Sequence, residues 1–252
     1  MIGSIPQGAT AVVTGVSRGI GLATAVALAH EGVDVVGIAS TERTAEASRE
    51  PVERLGRRYW GIGADLGDRT SLYRALERIA ESVEVPDILV HAAGINRRAP
   101  IVDHGDELWD EVLAVNVTAP FILSREIGRG MVERGSGKIV FLASLLSFQG
   151  GLTVPGYAAS KGGVAQLVKA LSNEWASHGV NVNAIAPGYV DTDMNSALIA
   201  DEERFAQISD RIPAGRWARP SDIAGAVVFL SSPASDYVNG TVLPVDGGWL
   251  GR

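Results

Sequence analysis

The stretch Val12-Val13-Thr14-Gly15-Val16-Ser17-Arg18-Gly19-Ile20-Gly21 admits two readings that lead to different proteins. Gly15-Val16-Ser17-Arg18-Gly19 matches G-x-S-x-G, the strained turn that presents a nucleophilic serine in hydrolases. Gly15, Gly19 and Gly21 together suit a turn that lets the backbone approach a pyrophosphate. Position decides between them. A hydrolase elbow comes after a strand and loop that supply part of an oxyanion hole, yet Ser17 follows the first strand of the chain. A glycine turn from the first strand into the first helix is where a doubly wound sheet receives phosphates. Missing Cβ atoms admit the ligand, and the helix N-terminus offers N–H donors and a positive dipole. The spacing Gly15-x3-Gly19-x-Gly21 departs from G-x-G-x-x-G, so the turn has to be read with the rest of the chain.

Outward from the turn, short apolar runs alternate with longer segments of helical period. Ala11–Val13, Val33–Ile38, Tyr59–Ile62, Ile88–Val90, Ile139–Leu142, Val180–Ile185 and Val242–Val245 read as seven buried strands. Helices are expected from about Ile20 to His30, Leu72 to Ala80, Leu108 to Val132, Tyr157 to Ser177, and Ser221 to Ser231, the last opened by Pro220. The alternation predicts an α/β fold with a parallel sheet and helices on both faces. No repeat, low-complexity tract or linker divides residues 1–252, so one domain is expected.

Composition narrows the function. Of 252 residues, 22 are Lys or Arg and 29 Asp or Glu, a net charge of −7 with no basic stripe for nucleic acid or an anionic membrane. The absence of cysteine excludes disulfides, thiol catalysis and Cys-ligated metal; no other metal-ligating cluster is visible. The N-terminus lacks a signal-peptide pattern and no apolar run would span a bilayer, so a cytoplasmic protein is expected.

A second constellation lies further on. Ser144 ends the run Lys138-Ile139-Val140-Phe141-Leu142-Ala143-Ser144, and Tyr157-Ala158-Ala159-Ser160-Lys161 opens a helix. A spacing of four puts Tyr157 and Lys161 on one helix face. There the ammonium is expected to lower the phenol's pKa and make Tyr157 an acid or base near neutrality. Ser144 can then hydrogen-bond the reacting oxygen.

With these residues, Thr14–Gly21, Asn116 in Leu113-Ala114-Val115-Asn116-Val117, and Asn183-Ala184-Ile185-Ala186-Pro187-Gly188-Tyr189-Val190, the chain resembles the short-chain dehydrogenase/reductase family over essentially its whole length. The resemblance implies a single Rossmann-type domain and a nicotinamide cofactor. It implies Tyr157 as acid/base, Ser144 as positioner of the carbonyl or alcohol, Lys161 as holder of the nicotinamide ribose, and Asn116 as anchor of a proton-relaying water. It further implies cofactor contacts from Gly15, Ser17, Arg18, Gly19, Ile20, Gly21 and Ala92-Ala93-Gly94. Asp65 and Leu66 would flank the adenine, and Pro187, Gly188, Val190 and Thr192 would meet the nicotinamide end. One departure is His91, where the family usually carries asparagine; a structural role is expected for it.

The second half is similar to the branch of that family acting on gluconate and its deoxy derivatives. A sugar-acid substrate needs a cation for its carboxylate, and an arginine fork supplies one. Arg97, Arg98 and Gln149 are the expected substrate contacts beside Ser144 and Tyr157, with a mobile lid at about 194–217 ending in Arg216-Trp217. Cofactor choice stays open between NAD and NADP: Ala39-Ser40-Thr41 stands where an NAD enzyme usually places Asp, and Arg18 with Ser40 suits a 2′-phosphate, whereas the sugar-acid resemblance favours NAD. The rival readings are an NADPH-dependent 3-oxoacyl-thioester reductase and a catalytically silent nucleotide-binding regulator. Apolar residues on several faces of the long helices, Leu113, Phe121, Leu167, Val168 and Leu171 among them, together with the C-terminal Val245-Asp246-Gly247-Gly248-Trp249 segment, suggest a homotetramer.

Overall fold

Strands that are apolar on both faces must be covered on both faces, which a parallel sheet between two helix layers achieves. In a computed structural model describing residues 3–252, the strands are β1 (Thr10–Thr14), β2 (Asp34–Ala39), β3 (Tyr59–Gly63), β4 (Ile88–His91), β5 (Gly137–Leu142), β6 (Val180–Pro187) and β7 (Val242–Val245). They form one sheet of order β3-β2-β1-β4-β5-β6-β7, with every neighbouring pair parallel. The longer helices are α1 (Gly19–His30), α2 (Arg69–Ser82), α3 (Asp106–Leu113), α4 (Ala119–Arg134), α5 (Pro155–Trp175), α6 (Glu202–Arg211) and α7 (Pro220–Leu230). The doubly wound, seven-stranded sheet expected from the alternation is the one observed.

Alternation along each strand sorts the core into two layers. Val12, Val36 and Leu89 turn toward α2, α4 and α5, and pack with Leu72, Leu123 and Val168. Val13, Val35 and Val90 turn toward α1 and α7, and pack with Leu28, Ile223 and Val227. The chain leaves β1 toward β2 and β3, then returns to β4 and builds the other half. The carboxyl ends of β1 and β4 therefore diverge, opening the crevice that such sheets use for ligands.

One expectation needs correction, and one segment gains detail. The single helix from Leu108 to Val132 is interrupted: α3 ends at Leu113, the backbone widens over Ala114–Thr118, and α4 follows. Pro120 is the cause in sequence, because it has no N–H for the Asn116 carbonyl four residues earlier and its ring crowds that turn. The segment 194–217, read only as a lid, contains a helical turn at Ser196–Ala200 and the ten-residue α6. Ile208, Ile212 and Trp217 from it pack with Leu145 and Trp249 in a third, smaller core.

His91 closes β4 in the interior, 3% exposed, with Nε2 2.8 Å from Ser124 Oγ and its ring centroid 4.4 Å from that of Phe141. Its Nδ1 has no partner. Burial, with the nearby Lys161 charge, pushes its pKa down to about 3, so the ring is neutral and structural. An unfolded histidine near its ordinary value of about 6.5 takes up a proton that the folded one refuses. Stability from this site is thus complete above pH 6.5 and falls as pH drops toward 3, by up to about 1.4 kcal/mol per pH unit. His91→Asn should fold and lose this slope. Denaturant unfolding at pH 7.5 and pH 5 checks it, and equal losses in both proteins would refute it.

Candidate active site

At the crevice, the glycines are required by contact. Gly15 has φ +76° and Gly19 φ +56°, in the left-handed region that only glycine enters freely. A Cβ on Gly21 would lie 2.1 Å from the Gly15 carbonyl oxygen, and one on Gly15 would lie 2.8 Å from the Ala93 backbone. These gaps let α1 start directly against the end of β1. Its first turn has no side-chain cap, so its N–H groups are available to an anion. The Thr14 hydroxyl, which the sequence did not single out, accepts from Ala92 N–H at 3.1 Å and Ala93 N–H at 3.0 Å, tying the second wall of the crevice to the first.

The resulting groove has a volume of about 550 Å³. It runs from Ser40, Asp65 and Leu66, past the glycine turn including Ser17 and Ile20, to Gly94. A bare backbone cradle, an uncapped helix start and a groove of this length fit a dinucleotide. At the far end Ala39 is buried and Thr41 spends its hydroxyl on the Thr44 N–H, whereas exposed Ser40 faces the groove. Arg18 lines it too, its Nε 3.1 Å from Asp193 in a largely exposed pair. Among the described residues, no group of three or more His, Asp or Glu is placed to hold a metal ion.

The groove opens into a second cavity of about 350 Å³, sharing Ile20, Ala92, Ala93, Gly94 and Thr192 with it. Ser144, at the end of β5, and Tyr157 and Lys161, in the first two turns of α5, share its wall. Pro187, Gly188 and Val190 line it from the end of β6. Ser147 Oγ donates to the Lys161 carbonyl at 2.7 Å and fixes α5 against the Ser144 loop, while Ser160 Oγ donates within α5 to the carbonyl of Tyr157 at 2.7 Å. The Asn116 amide donates to Ile95 O at 2.9 Å and Ser160 Oγ at 3.0 Å, while its oxygen accepts from Ile95 N–H at 2.9 Å. Its side chain therefore clamps the loop carrying Gly94.

The electrostatics correct one expectation. On balance the Tyr157 phenol is raised and not lowered, and the Lys161 ammonium, which lies 5.4 Å from the centre of the tyrosine ring, donates to the Leu142 carbonyl at 2.6 Å. Burial holds Tyr157 above the usual phenol value, opposed by the Ser144 hydroxyl and by the Arg98 charge. Burial also pushes Lys161 down to about 8.

The arginines separate. Arg97 Nε donates to Glu111 Oε2 at 2.7 Å, with a second bond at 2.5 Å, and Arg97 lies outside the reaction cavity. Arg216 is likewise engaged, by Asp222 at 2.6 Å and 3.0 Å. Arg98 and Gln149 do line the reaction cavity. So do Arg204 and Arg211 of α6, which sequence reasoning missed; seven apart, they share a helix face only once that helix is known.

The family profile described as enoyl-(acyl carrier protein) reductase matches residues 15–250. The chain is 55% identical to the 2-dehydro-3-deoxy-D-gluconate 5-dehydrogenase of Pseudoalteromonas atlantica, over 98% of this chain and 97% of that one. To the enzyme of the same name from Escherichia coli it is 47% identical, again over 98% and 97%. Among solved structures it is similar to a candidate NAD(P)-dependent gluconate 5-dehydrogenase from Beutenbergia cavernae with NADP bound at low occupancy. That match has a TM-score of 0.93 and 48% identity, over 98% of each chain. With its parallel sheet, glycine turn and Ser144, Tyr157 and Lys161 on one cavity wall, the chain belongs to the short-chain dehydrogenase/reductase family.

Proposed function

We propose that this oxidoreductase interconverts a secondary alcohol and a ketone on a sugar acid, with 2-dehydro-3-deoxy-D-gluconate or a related gluconate as substrate. The observation that carries the reading is the continuity of the dinucleotide groove with a cavity walled by Ser144, Tyr157 and Lys161. The dehydrogenase relatives support the substrate class. A nicotinamide held at the junction supplies a hydride acceptor or donor. In oxidation Tyr157, as phenolate, takes the hydroxyl proton while the carbinol carbon gives up its hydride, leaving the ketone; reduction reverses both transfers. Ser144 hydrogen-bonds the reacting oxygen, and Lys161, charged below about pH 8, holds the ribose. Asn116 is a positioning residue in this scheme, acting through the Gly94 loop.

A 3-oxoacyl thioester fits less well, since the cavity wall carries Arg98, Arg204 and Arg211 where an acyl chain wants apolar contact. A silent regulator would not need the three reacting side chains together. NADP is the cofactor that Ser40 and Arg18 suit, and NADP is bound in the similar Beutenbergia cavernae structure. A cytoplasmic homotetramer completes the reading. Phe121 and Trp109, each about 40% exposed, are available to a neighbouring subunit, whereas Val168 and Leu171 belong to the chain's own core.

Three outcomes test this. Tyr157→Phe should keep NADP affinity and lose about 10²–10⁴-fold in kcat; near-normal turnover of 2-dehydro-3-deoxy-D-gluconate in that variant would overturn the acid/base assignment. Because the phenol must ionise to accept a proton, oxidation should accelerate as pH rises above neutrality and reduction should slow; parallel pH profiles would contradict it. Ser40→Asp, which puts a carboxylate against the 2′-phosphate, and Arg18→Ala should each cut the NADP-over-NAD preference in kcat/KM by at least about tenfold. Unchanged ratios would place adenosine recognition elsewhere.

A further inference from the structure

The reaction cavity is unusual in its charge. Four cations, Arg98, Lys161, Arg204 and Arg211, line it, and no Asp or Glu does, in a chain whose net charge is −7. Ten of the nineteen arginines among the described residues are paired with carboxylates, Arg97 and Arg216 among them. Arg98, Arg204 and Arg211 have no carboxylate partner. A set of guanidiniums converging on one concavity without a counter-charge repels itself, and an anion relieves that repulsion.

The three are not equivalent. Arg98 stands close enough to Tyr157 for its charge to act on the phenol, so an anion held there would sit beside the reacting carbon. Arg204 and Arg211 reach the cavity from α6. Seven residues apart, they lie about two turns, or roughly 10 Å, from one another on one helix face. The Arg211 guanidinium stacks 3.9 Å over the Trp249 ring, and Arg204 Nη1 donates to Gln207 Oε1 at 2.9 Å; both heads are thus oriented before any ligand arrives. The Trp249 indole N–H, on the same wall, is buried without an acceptor. Resting on the function proposed above, we infer that Arg204 and Arg211 form the carboxylate clamp for the substrate, so that a carbon remote from the carboxylate, as C5 is from C1, meets Ser144 and Tyr157. The acid is then recognised by the segment that covers the cavity, and binding it ties α6 to the site.

The test compares D-gluconate with D-glucitol, which replaces the carboxylate by CH2OH, in oxidation with NADP. Arg204→Gln and Arg211→Gln should each raise the KM for D-gluconate by about tenfold or more, as expected for loss of a charge-assisted bond. The kcat should stay within about threefold and KM for D-glucitol should not move. Arg211→Lys, which keeps the charge and the contact with Trp249, should fall between. Arg98→Gln should instead lower kcat and displace the alkaline limb of the pH profile upward. An acid-over-neutral preference in the α6 variants equal to that of the wild type would overturn the clamp. Arg204→Gln removes only the bond to Gln207, so it answers the question even if the Arg211 variants fail to fold. A readout independent of turnover is hydrogen exchange over residues 201–211 in the NADP-loaded protein: D-gluconate should slow it in the wild type and not in Arg204→Gln. Protection without turnover of any sugar acid would keep the clamp and defeat the proposed reaction. Turnover with unchanged preference and no protection would do the reverse, and neither turnover nor protection would defeat both.

Discussion

The approach of α1 to the end of β1 governs the rest of the site. Gly21 lies so near the Gly15 carbonyl that a Cβ would stand 2.1 Å from it, and a Cβ on Gly15 would stand 2.8 Å from Ala93 of the neighbouring strand's loop. Three consequences follow from that contact. The uncapped first turn of α1 points into the crevice, the β1 and β4 loops become two walls of one groove through Thr14, and Gly94 is carried up to the edge of the Lys161 and Asn116 side chains. A side chain at either glycine would push α1 off the sheet and separate the groove from the reaction cavity. The uncapped start of α1 and the cavity wall that carries Tyr157 thus share one packing constraint.

The reaction centre sets burial against charge. Enclosure that excludes water also raises the Tyr157 phenol and lowers Lys161, each shift favouring the neutral form. The protein's own counterweights to the phenol shift are the Ser144 hydroxyl and the Arg98 cation, while Lys161 is tied to the Leu142 carbonyl. The lysine therefore acts first as a brace between α5 and β5. His91 shows the same physics without chemistry: a wholly enclosed imidazole bound to Ser124 stays neutral and serves as packing.

The order of strands and helices, the glycine turn and the spacing of Ser144, Tyr157 and Lys161 were legible from residue types, because each depends on local geometry. A run such as Ile139–Leu142 has no stable place except a buried strand. A turn with glycine at 15, 19 and 21 ahead of an apolar helix suits a phosphate. Residues four apart on a helix share a face. The interruption at Asn116 was also encoded, in Pro120, although the apolar pattern running through both α3 and α4 concealed it.

What the sequence could not decide was which side chains are already engaged. Arg97 and Arg98 are adjacent and alike in sequence, yet Glu111, fourteen residues on, takes the first and leaves the second to the cavity. Arg216 is taken by Asp222, while Arg204 and Arg211 gain their position from a helix whose small core comes from Leu145 and Trp249, distant in sequence. The direction of the Tyr157 shift has the same origin, since it is a sum over every atom that encloses the ring and every charge near it. Sequence alone determined the fold, the turn and the grouping of Tyr157 and Lys161 behind Ser144, because these follow from short-range sterics and periodicity. Tertiary structure alone decided the pairing of charges and the balance of desolvation, because both depend on distances between residues that only the completed sheet brings together.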